Sequence, residues 1–193
     1  MKNTEKYEVP TWDQVHTLLI NQAEKICASS YKPSAIVGIV RGGVVPARIL
    51  SDLLGNKNFT TIHMKSNHAS PEDRRKKNLI RSLAFSVAGK KVLLVDDVAD
   101  TGRTLADLEE YMQQQGAKET RIATLYSKPW SVIKPDYYEK ETVRWIIFPW
   151  DVTEHLRGIV TKEVMPPSTK EISGLPEKLT TRILNRIQGE KRC

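Results

Sequence analysis

The segment VLLVDDVADTGRTL, residues 92–105, decides the fold class of this chain. Its apolar beginning predicts a strand buried on both faces, because a strand buried on one face alone alternates apolar with polar residues. Two acids, a short loop and a helical pattern over residues 103–115 follow, and Gly116 stands where that helix would end. A buried strand that leads at once into a helix is typical of a parallel α/β sheet.

Other strands and helices alternate on both sides of this segment. Thr11 and Gln14 have the spacing of a capping box at the start of the first helix. We therefore expect an α/β fold, a mainly parallel twisted sheet flanked by helices, with its ligand at the carboxyl ends of strands where the strand order reverses. Strands are predicted at residues 35–40, 59–64, 79–87, 121–126 and 144–148, and helices at residues 10–26 and 45–54.

Composition limits the class of protein. The chain has 193 residues, of which 39% are hydrophobic and 27% charged, which excludes a collagen-like or wholly disordered protein. Because its apolar runs are short and its first ten residues are polar, we expect neither a transmembrane helix nor a secretory signal. Cys27 and Cys193 show no disulfide framework and no metal spacing, which favours a cytoplasmic protein.

The charge balance is basic, with a net charge of +7. Such a surplus could attract nucleic acid, an anionic membrane or a phosphorylated small molecule. Much of it lies in residues 74–77 and after Gly158, not along one helix face, which argues against nucleic acid and membrane as partners.

After Arg157 the composition changes. We expect one domain over residues 1–157, and a linker with a short amphipathic helix over residues 158–193, whose role the sequence does not indicate.

The residues after the apolar strand favour a phosphate site beside a diol or metal site. Loop N–H groups, the Thr101 and Thr104 hydroxyls and a helix N-terminus can bind an anion, and Gly102 lets the backbone approach it. Asp96 and Asp97 suit sugar hydroxyls or a divalent cation. Together they indicate a ribose 5-phosphate. The alternative is a plain strand–turn–helix with solvated acids, but adjacent carboxylates at a buried strand end repel each other unless a partner compensates.

This stretch resembles the motif of type I phosphoribosyltransferases that binds 5-phosphoribosyl 1-pyrophosphate (PRPP), and the resemblance covers about residues 10–155. In that family the two acids contact the ribose hydroxyls and help to hold Mg²⁺, and the following loop binds the 5-phosphate. The resemblance implies the same fold and, by position, PRPP binding by Arg41, Gly42, Lys77, Asp96, Asp97, Val98, Ala99, Asp100, Thr101, Gly102, Arg103 and Thr104.

Two further segments fit the resemblance. Arg41, Gly42 and Gly43 resemble the family's pyrophosphate loop, for which the alternative is a simple glycine turn. Residues 66–81 stand where the family has its mobile catalytic loop, and Lys77 is the residue chosen there for a PRPP contact; the alternative is an ordinary solvated loop.

Two late segments resemble the purine-binding segments of xanthine–guanine and hypoxanthine phosphoribosyltransferases. By position, Lys128 donates to the purine O6, Trp145 stacks on the base, Ile146 contributes backbone contacts, and Asp151 approaches the metal on the pyrophosphate side. A lysine donor suits a 6-oxo group and not the 6-amino group of adenine. The alternatives are a core aromatic at Trp145 and a surface lysine at Lys128. Residues 148–151 also resemble short archaeal purine phosphoribosyltransferases.

The resemblance implies a purine salvage enzyme that transfers the phosphoribosyl group of PRPP to hypoxanthine, guanine or xanthine. Asp100 is then the residue that accepts the N7 proton, Mg²⁺ is the cofactor, and the chain forms a homodimer or homotetramer. Two other functions stay open: a PRPP-sensing regulator that binds nucleic acid, and a phosphoribosyltransferase for another base such as adenine or a pyrimidine. The intact Asp96–Thr104 segment favours an enzyme over the regulator.

Overall fold

A computed structural model of the chain describes residues 7–64, 79–81, 83–161 and 175–190. The described strands are β1 (Tyr7–Glu8), β2 (Ala35–Ile39), β3 (Phe59–Met64), β4 (Leu79–Arg81), β5 (Lys91–Ala99), β6 (Glu119–Ser127), β7 (Tyr137–Glu141) and β8 (Trp145–Ile146). The described helices are α1 (Trp12–Ala28), α2 (Val44–Leu53), α3 (Arg103–Gln114), α4 (Val152–Thr161) and α5 (Glu177–Glu190).

The chain divides into two compact units. Thr17–Thr142 form the larger unit, and the described residues of Met1–His16 and Val143–Cys193 form the smaller one. Helix α4 runs across the predicted boundary between residues 157 and 158. The linker predicted within residues 158–193 falls in part on residues 162–174, which lie outside the described residues.

The larger unit contains a six-stranded sheet in the order β4-β3-β2-β5-β6-β7. Strands β2, β3, β5, β6 and β7 are parallel, and β4 runs antiparallel to β3. The prediction of a mainly parallel sheet is therefore confirmed. The chain moves from β2 outward to β3 and β4, and from β5 in the opposite direction to β6 and β7. The strand order thus reverses between β2 and β5, where parallel sheets bind their ligands.

The core of this unit follows from the apolar runs. Every residue of β2 is buried, and Val92 to Val95 have no exposed surface, as expected for parallel strands covered on both faces. Helix α3 adds Leu105, Leu108 and Met112, which are spaced along one helix face and pack in the same cluster as Leu94. Burial of these side chains fixes the last residues of β5 and the first residues of α3 with respect to each other.

Several element boundaries differ from the predictions. The strand expected at residues 79–87 is described only at Leu79–Arg81, and β1, β7 and α4 were not predicted. The capping box is confirmed: the Gln14 N–H donates to Thr11 Oγ1 at 3.2 Å, and the Thr11 N–H donates to Gln14 Oε1 at 2.9 Å. No helix in the described part of the chain is long and apolar enough to cross a membrane.

The smaller unit has its own small core. Strand β1 pairs in parallel with β8, and Ile147, Val152, Leu156 and Ile187 are buried together. Ile187 comes from α5, which is the short amphipathic helix predicted within residues 158–193, and α5 packs against α4.

Candidate active site

The carboxyl ends of β2 and β5 bring the predicted pyrophosphate loop against the acid pair. A Cβ on Gly42 would overlap the carboxylate of Asp97, and a Cβ on Gly43 would overlap the carbonyl of Val95. A side chain at Gly42 would therefore require the Asp97 carboxylate to move, and one at Gly43 would require the backbone of β5 to move. The Val40–Arg41 peptide bond is cis, and the Arg41 side chain is exposed.

The acid pair occupies the last part of β5 instead of following it, because the strand continues to Ala99. Asp97 is buried, with 8% of its surface exposed, and Asp96 is partly buried. Burial raises the pKa of Asp96 well above its ordinary value, and the negative charge of Asp97 raises it further. Backbone N–H groups of Asp97 and Gly43 donate to the Asp96 carboxyl and offset part of this effect.

The pair is suited to a hard cation. Two adjacent carboxylates, one with a raised pKa, gain from a positive charge or from hydroxyl donors, and carboxylate oxygens are the ligands that Mg²⁺ prefers. The donor set at Asp96 and Asp97 thus fits the ion that the resemblance implies. Across residues 7–64, 79–81, 83–161 and 175–190, no group of three or more His, Cys, Asp or Glu side chains is arranged to hold a metal.

The predicted phosphate loop is short, consisting of Asp100, Thr101 and Gly102 between β5 and α3. Asp100 and Thr101 are exposed. Gly102 has a φ of 74°, in the left-handed region, and a Cβ there would overlap the hydroxyl of Ser131. Helix α3 begins at Arg103, so the backbone N–H groups of its first turn lack partners within the helix and can bind an anion.

A second loop, residues 128–133 after β6, lies against the phosphate loop. The Lys128 N–H donates to the Ala99 carbonyl at 2.9 Å, and the Val132 N–H donates to the Thr101 carbonyl at 3.0 Å. Lys128 is 6% exposed, so the alternative of a surface lysine does not hold. The predicted O6 donor and the predicted phosphate loop are thus held together by backbone hydrogen bonds.

Trp130 also belongs to this site, although no role was predicted for it. Its indole Nε1–H donates to Oδ1 of Asp100 at 3.1 Å, and its ring centroid lies 5.5 Å from the Nζ of Lys128. A signal existed in the sequence: Trp130 follows Lys128 by two residues at a strand end, in a sheet whose strand ends carry the other site residues. That signal could not show which side chain the indole contacts.

The sequence model of the phosphoribosyl transferase domain family matches residues 11–155. The chain belongs to this family. The matched range agrees with the resemblance seen over residues 10–155, and it ends before α5. The predicted family and its fold are therefore confirmed.

Known members of the phosphoribosyl transferase family resemble this chain over most of their length. A xanthine-guanine phosphoribosyltransferase of Ruegeria sp. is 30% identical over 154 residues, which cover 74% of this chain and 84% of that protein. One from Gluconobacter oxydans is 28% identical over 150 residues, 77% of this chain and 86% of that protein. The crystal structure of a purine phosphoribosyltransferase from Pyrococcus horikoshii has 38% identity and a TM-score of 0.67, covering 75% of this chain and 93% of that one.

Other predicted site residues of this phosphoribosyl transferase domain lie in the smaller unit or outside the described residues. Trp145 is 62% exposed on β8, so the alternative of a core aromatic does not hold. Ile146 is buried and lies opposite Glu8 in the β1–β8 pair. Asp151 is partly buried just before α4. Lys77 lies outside the described residues.

A cavity of about 460 Å³ lies elsewhere in the larger unit, and the predicted site residues do not line it. Its walls come from the end of α2 and the start of β3: Arg48, Ser51, Asp52, Gly55, Asn56, Lys57 and Phe59.

Proposed function

We propose that this phosphoribosyltransferase transfers the 5-phosphoribosyl group of PRPP to a 6-oxopurine base, hypoxanthine, guanine or xanthine, and releases pyrophosphate and a purine nucleotide. Purine phosphoribosyl transfer as such is supported by the purine phosphoribosyltransferases that resemble the chain. The observation that carries the 6-oxopurine proposal is the buried Lys128, which backbone hydrogen bonds join to the loop after Asp96 and Asp97.

PRPP binding is proposed for the reversal point between β2 and β5. Asp96 and Asp97 accept hydrogen bonds from the ribose hydroxyls, and residues 98–104 bind the 5-phosphate through loop and helix N–H groups. The loop of Arg41 and Gly42 binds pyrophosphate through backbone N–H groups and the guanidinium charge. The close fit of Gly42 against Asp97 supports this arrangement, since it keeps the loop of Arg41 and Gly42 next to the acid pair. Lys77 is proposed from the resemblance alone.

Mg²⁺ is proposed to be held by Asp96 and Asp97, with Asp151 on the pyrophosphate side. When bound, it would neutralise charge that develops on the leaving pyrophosphate. The raised pKa of Asp96 supports the proposal, because a carboxyl that is destabilised by a neighbouring carboxylate gains from a cation.

Arg41 and Asp100 then have separate roles in the transfer. The bond between C1 of the ribose and the pyrophosphate oxygen breaks, and the bond between C1 and N9 of the purine forms. Arg41 stabilises the negative charge of the departing pyrophosphate. The proton on N7 of the purine passes to the carboxylate of Asp100, which acts as the general base.

Base selection is proposed for Lys128, Trp145 and Ile146. The ammonium of Lys128 donates to O6 of the base, and such a donor has nothing to offer the amino group of adenine. Trp145 stacks on the purine, and Ile146 contributes backbone contacts to the base edge. The exposed ring of Trp145 supports a stacking role, because an aromatic side chain with 62% exposure has surface available for a ligand.

A substrate panel tests the function. The full chain is incubated with PRPP, Mg²⁺ and, in turn, hypoxanthine, guanine, xanthine and adenine, and nucleotide formation is followed by absorbance. We expect turnover with at least one 6-oxopurine and a kcat/KM for adenine lower by about a hundredfold or more, the discrimination available when a polar group is mismatched. Equal use of adenine would contradict the role of Lys128. Turnover of no purine would contradict the function.

We further propose that the enzyme acts in the cytoplasm as a homodimer or homotetramer. The resemblance to the family supports the oligomer, and the free thiol of Cys27 is compatible with a reducing compartment. Sedimentation equilibrium of the purified chain would measure the oligomeric state, and a monomer at micromolar concentration would contradict this part of the proposal.

A further inference from the structure

Trp130 contacts both of the side chains that the proposed function assigns to one edge of the base. Its Nε1–H donates to Asp100 at 3.1 Å, and its ring faces the Lys128 ammonium at 5.5 Å. The second distance is within the range at which a cation and an indole ring attract each other. Lys128 and Asp100 are 28 positions apart in the sequence, and this single side chain touches both.

The positions of O6 and N7 on the base explain why the contacts of Trp130 with Lys128 and Asp100 matter. In a 6-oxopurine, O6 and N7 lie side by side on the same edge of the ring system. A donor for O6 and an acceptor for the N7 proton must therefore be kept at a fixed spacing. Asp100 is exposed, so the rest of the protein restricts its carboxylate little.

The loop that carries Trp130 is itself fixed. The Ser131 N–H donates to the Lys128 carbonyl at 3.0 Å, the Ser131 hydroxyl donates to the Ile133 carbonyl at 2.8 Å, and the Val132 N–H donates to Thr101 in the phosphate loop. Gly102 packs against Ser131 so closely that a Cβ would overlap the Ser131 hydroxyl. The Trp130 side chain is 53% exposed and has only two torsions, which its hydrogen bond to Asp100 and the ring contact with Lys128 restrict.

We propose that Trp130 is a positioning residue that sets the spacing between the Lys128 ammonium and the Asp100 carboxylate, an inference that rests on the proposed function. It does not contact the reacting atoms. The indole N–H holds the Asp100 carboxylate in the orientation that receives the N7 proton, and the indole ring holds Lys128 toward O6.

Two substitutions separate the two contacts. Trp130→Phe keeps an aromatic ring beside Lys128 but removes the N–H, so kcat for 6-oxopurines is expected to fall about tenfold, the size of one hydrogen bond to a charged group. The KM values for PRPP and for the base should stay near those of the parent. Trp130→Leu removes both contacts and should in addition raise the KM for 6-oxopurines about threefold. Val132→Ala, a change of a 69% exposed side chain in the same loop, is the control and should change kcat less than about twofold.

A double-mutant cycle with Asp100→Asn decides whether the effect passes through Asp100. We expect Trp130→Phe to lower kcat in the parent chain and to have little further effect in the Asp100→Asn chain, measured with radiolabelled base so that slow turnover is still detected. An equal loss in both chains, or no loss in the parent, would overturn the inference. If the parent chain is active and either of these results is obtained, the inference about Trp130 fails but the proposed function stands. A parent that is inactive with every purine would refute the proposed function, and the inference with it.

Discussion

The carboxyl group of Asp96 is less acidic in the folded chain than in an unfolded one, because it is buried beside Asp97. A carboxyl whose pKa is raised by folding binds its proton more tightly in the native state. Between its ordinary pKa and the raised one, the native state therefore holds more protons than the unfolded state, and stability falls as the pH rises. The ligand-free protein thus carries an energetic cost at neutral pH that a bound cation would relieve.

Asp96→Asn should remove this cost. We expect the substituted ligand-free protein to have a higher Tm at pH 7 than the parent, and to lose the part of the fall in Tm that this carboxyl causes as the pH rises above the ordinary pKa of an aspartate. Its affinity for PRPP with Mg²⁺ should fall about tenfold or more, because a charged acceptor is lost. Thermal unfolding across this pH range and calorimetric titration with PRPP and Mg²⁺ would measure both effects. A lower Tm together with unchanged affinity would contradict the assignment of Asp96.

Lys128→Gln tests base selection. The substitution replaces a charge-assisted hydrogen bond to O6 with a neutral one, a loss of about 1–2 kcal/mol, or about five- to thirtyfold in kcat/KM for hypoxanthine and guanine. Adenine use should not fall in parallel, because its amino group gains nothing from the ammonium. Lys134→Gln is the matched control, since Lys134 is exposed in the segment that leads to β7. If Lys128→Gln lowered all three bases equally, Lys128 would not be the residue that contacts O6.

At the scale of elements, apolar runs were sufficient to predict β2, β5 and β6, because a strand covered on both faces is apolar at successive positions. Strand β3 was also predicted, although its burial alternates along the strand. Strand β7 lacks such an apolar run: Tyr137–Glu141 is a charged strand at the edge of the described sheet, next to β6, and its exposure increases toward its end. Helix α4 was missed because Gly158 interrupts a short segment, and among residues 152–158 Val152 and Leu156 mark the buried face.

The acids and the loop after β5 could be predicted because they are contiguous in the sequence. The contact of Asp97 with Gly42 and that of Trp130 with Asp100 could not. They depend on which strands become neighbours: β2 pairs with β5, and β5 pairs with β6 in the register Ala99 to Ser127. Strand order is a property of the packed sheet, and an alternating pattern of strands and helices leaves several orders open.

The contact of Gly42, in the loop between β2 and α2, with Asp97 leads to a further prediction. Gly42→Ala would place a methyl group where the Asp97 carboxylate lies, so the loop or the acid must move. We expect the catalytic efficiency with PRPP to fall about a hundredfold, the scale of a displacement of about 1 Å in a site. Gly158→Ala on α4, where a Cβ would meet no atom within 4 Å, is the control and should retain full activity. Steady-state kinetics with PRPP varied would measure this. Normal activity in Gly42→Ala would show that Gly42 and Asp97 need not stay in contact.

At the scale of the whole molecule, the family match and the smaller compact unit end at different residues. The match ends at residue 155, yet α5 belongs to the same unit as β1, β8 and α4. Ile187 of α5 is 4% exposed and packs with Ile147, Val152 and Leu156. The C-terminal helix is therefore part of the core of the smaller unit, and the sequence beyond the family match contributes to folding.

Removal of the Ile187 side chain tests this role. Ile187→Ala leaves a cavity in a small core, and we expect the free energy of unfolding of the smaller unit to fall by about 2–4 kcal/mol. Leu179→Ala, on the same helix but with the side chain 41% exposed, should cost less than about 1 kcal/mol and serves as the control. Trp12, Trp145 and Trp150 lie in the smaller unit, and of the four tryptophans only Trp130 lies in the larger one. Urea unfolding followed by tryptophan fluorescence therefore reports mainly on the smaller unit. Equal stability of the Ile187→Ala and Leu179→Ala proteins would mean that α5 does not contribute to that core.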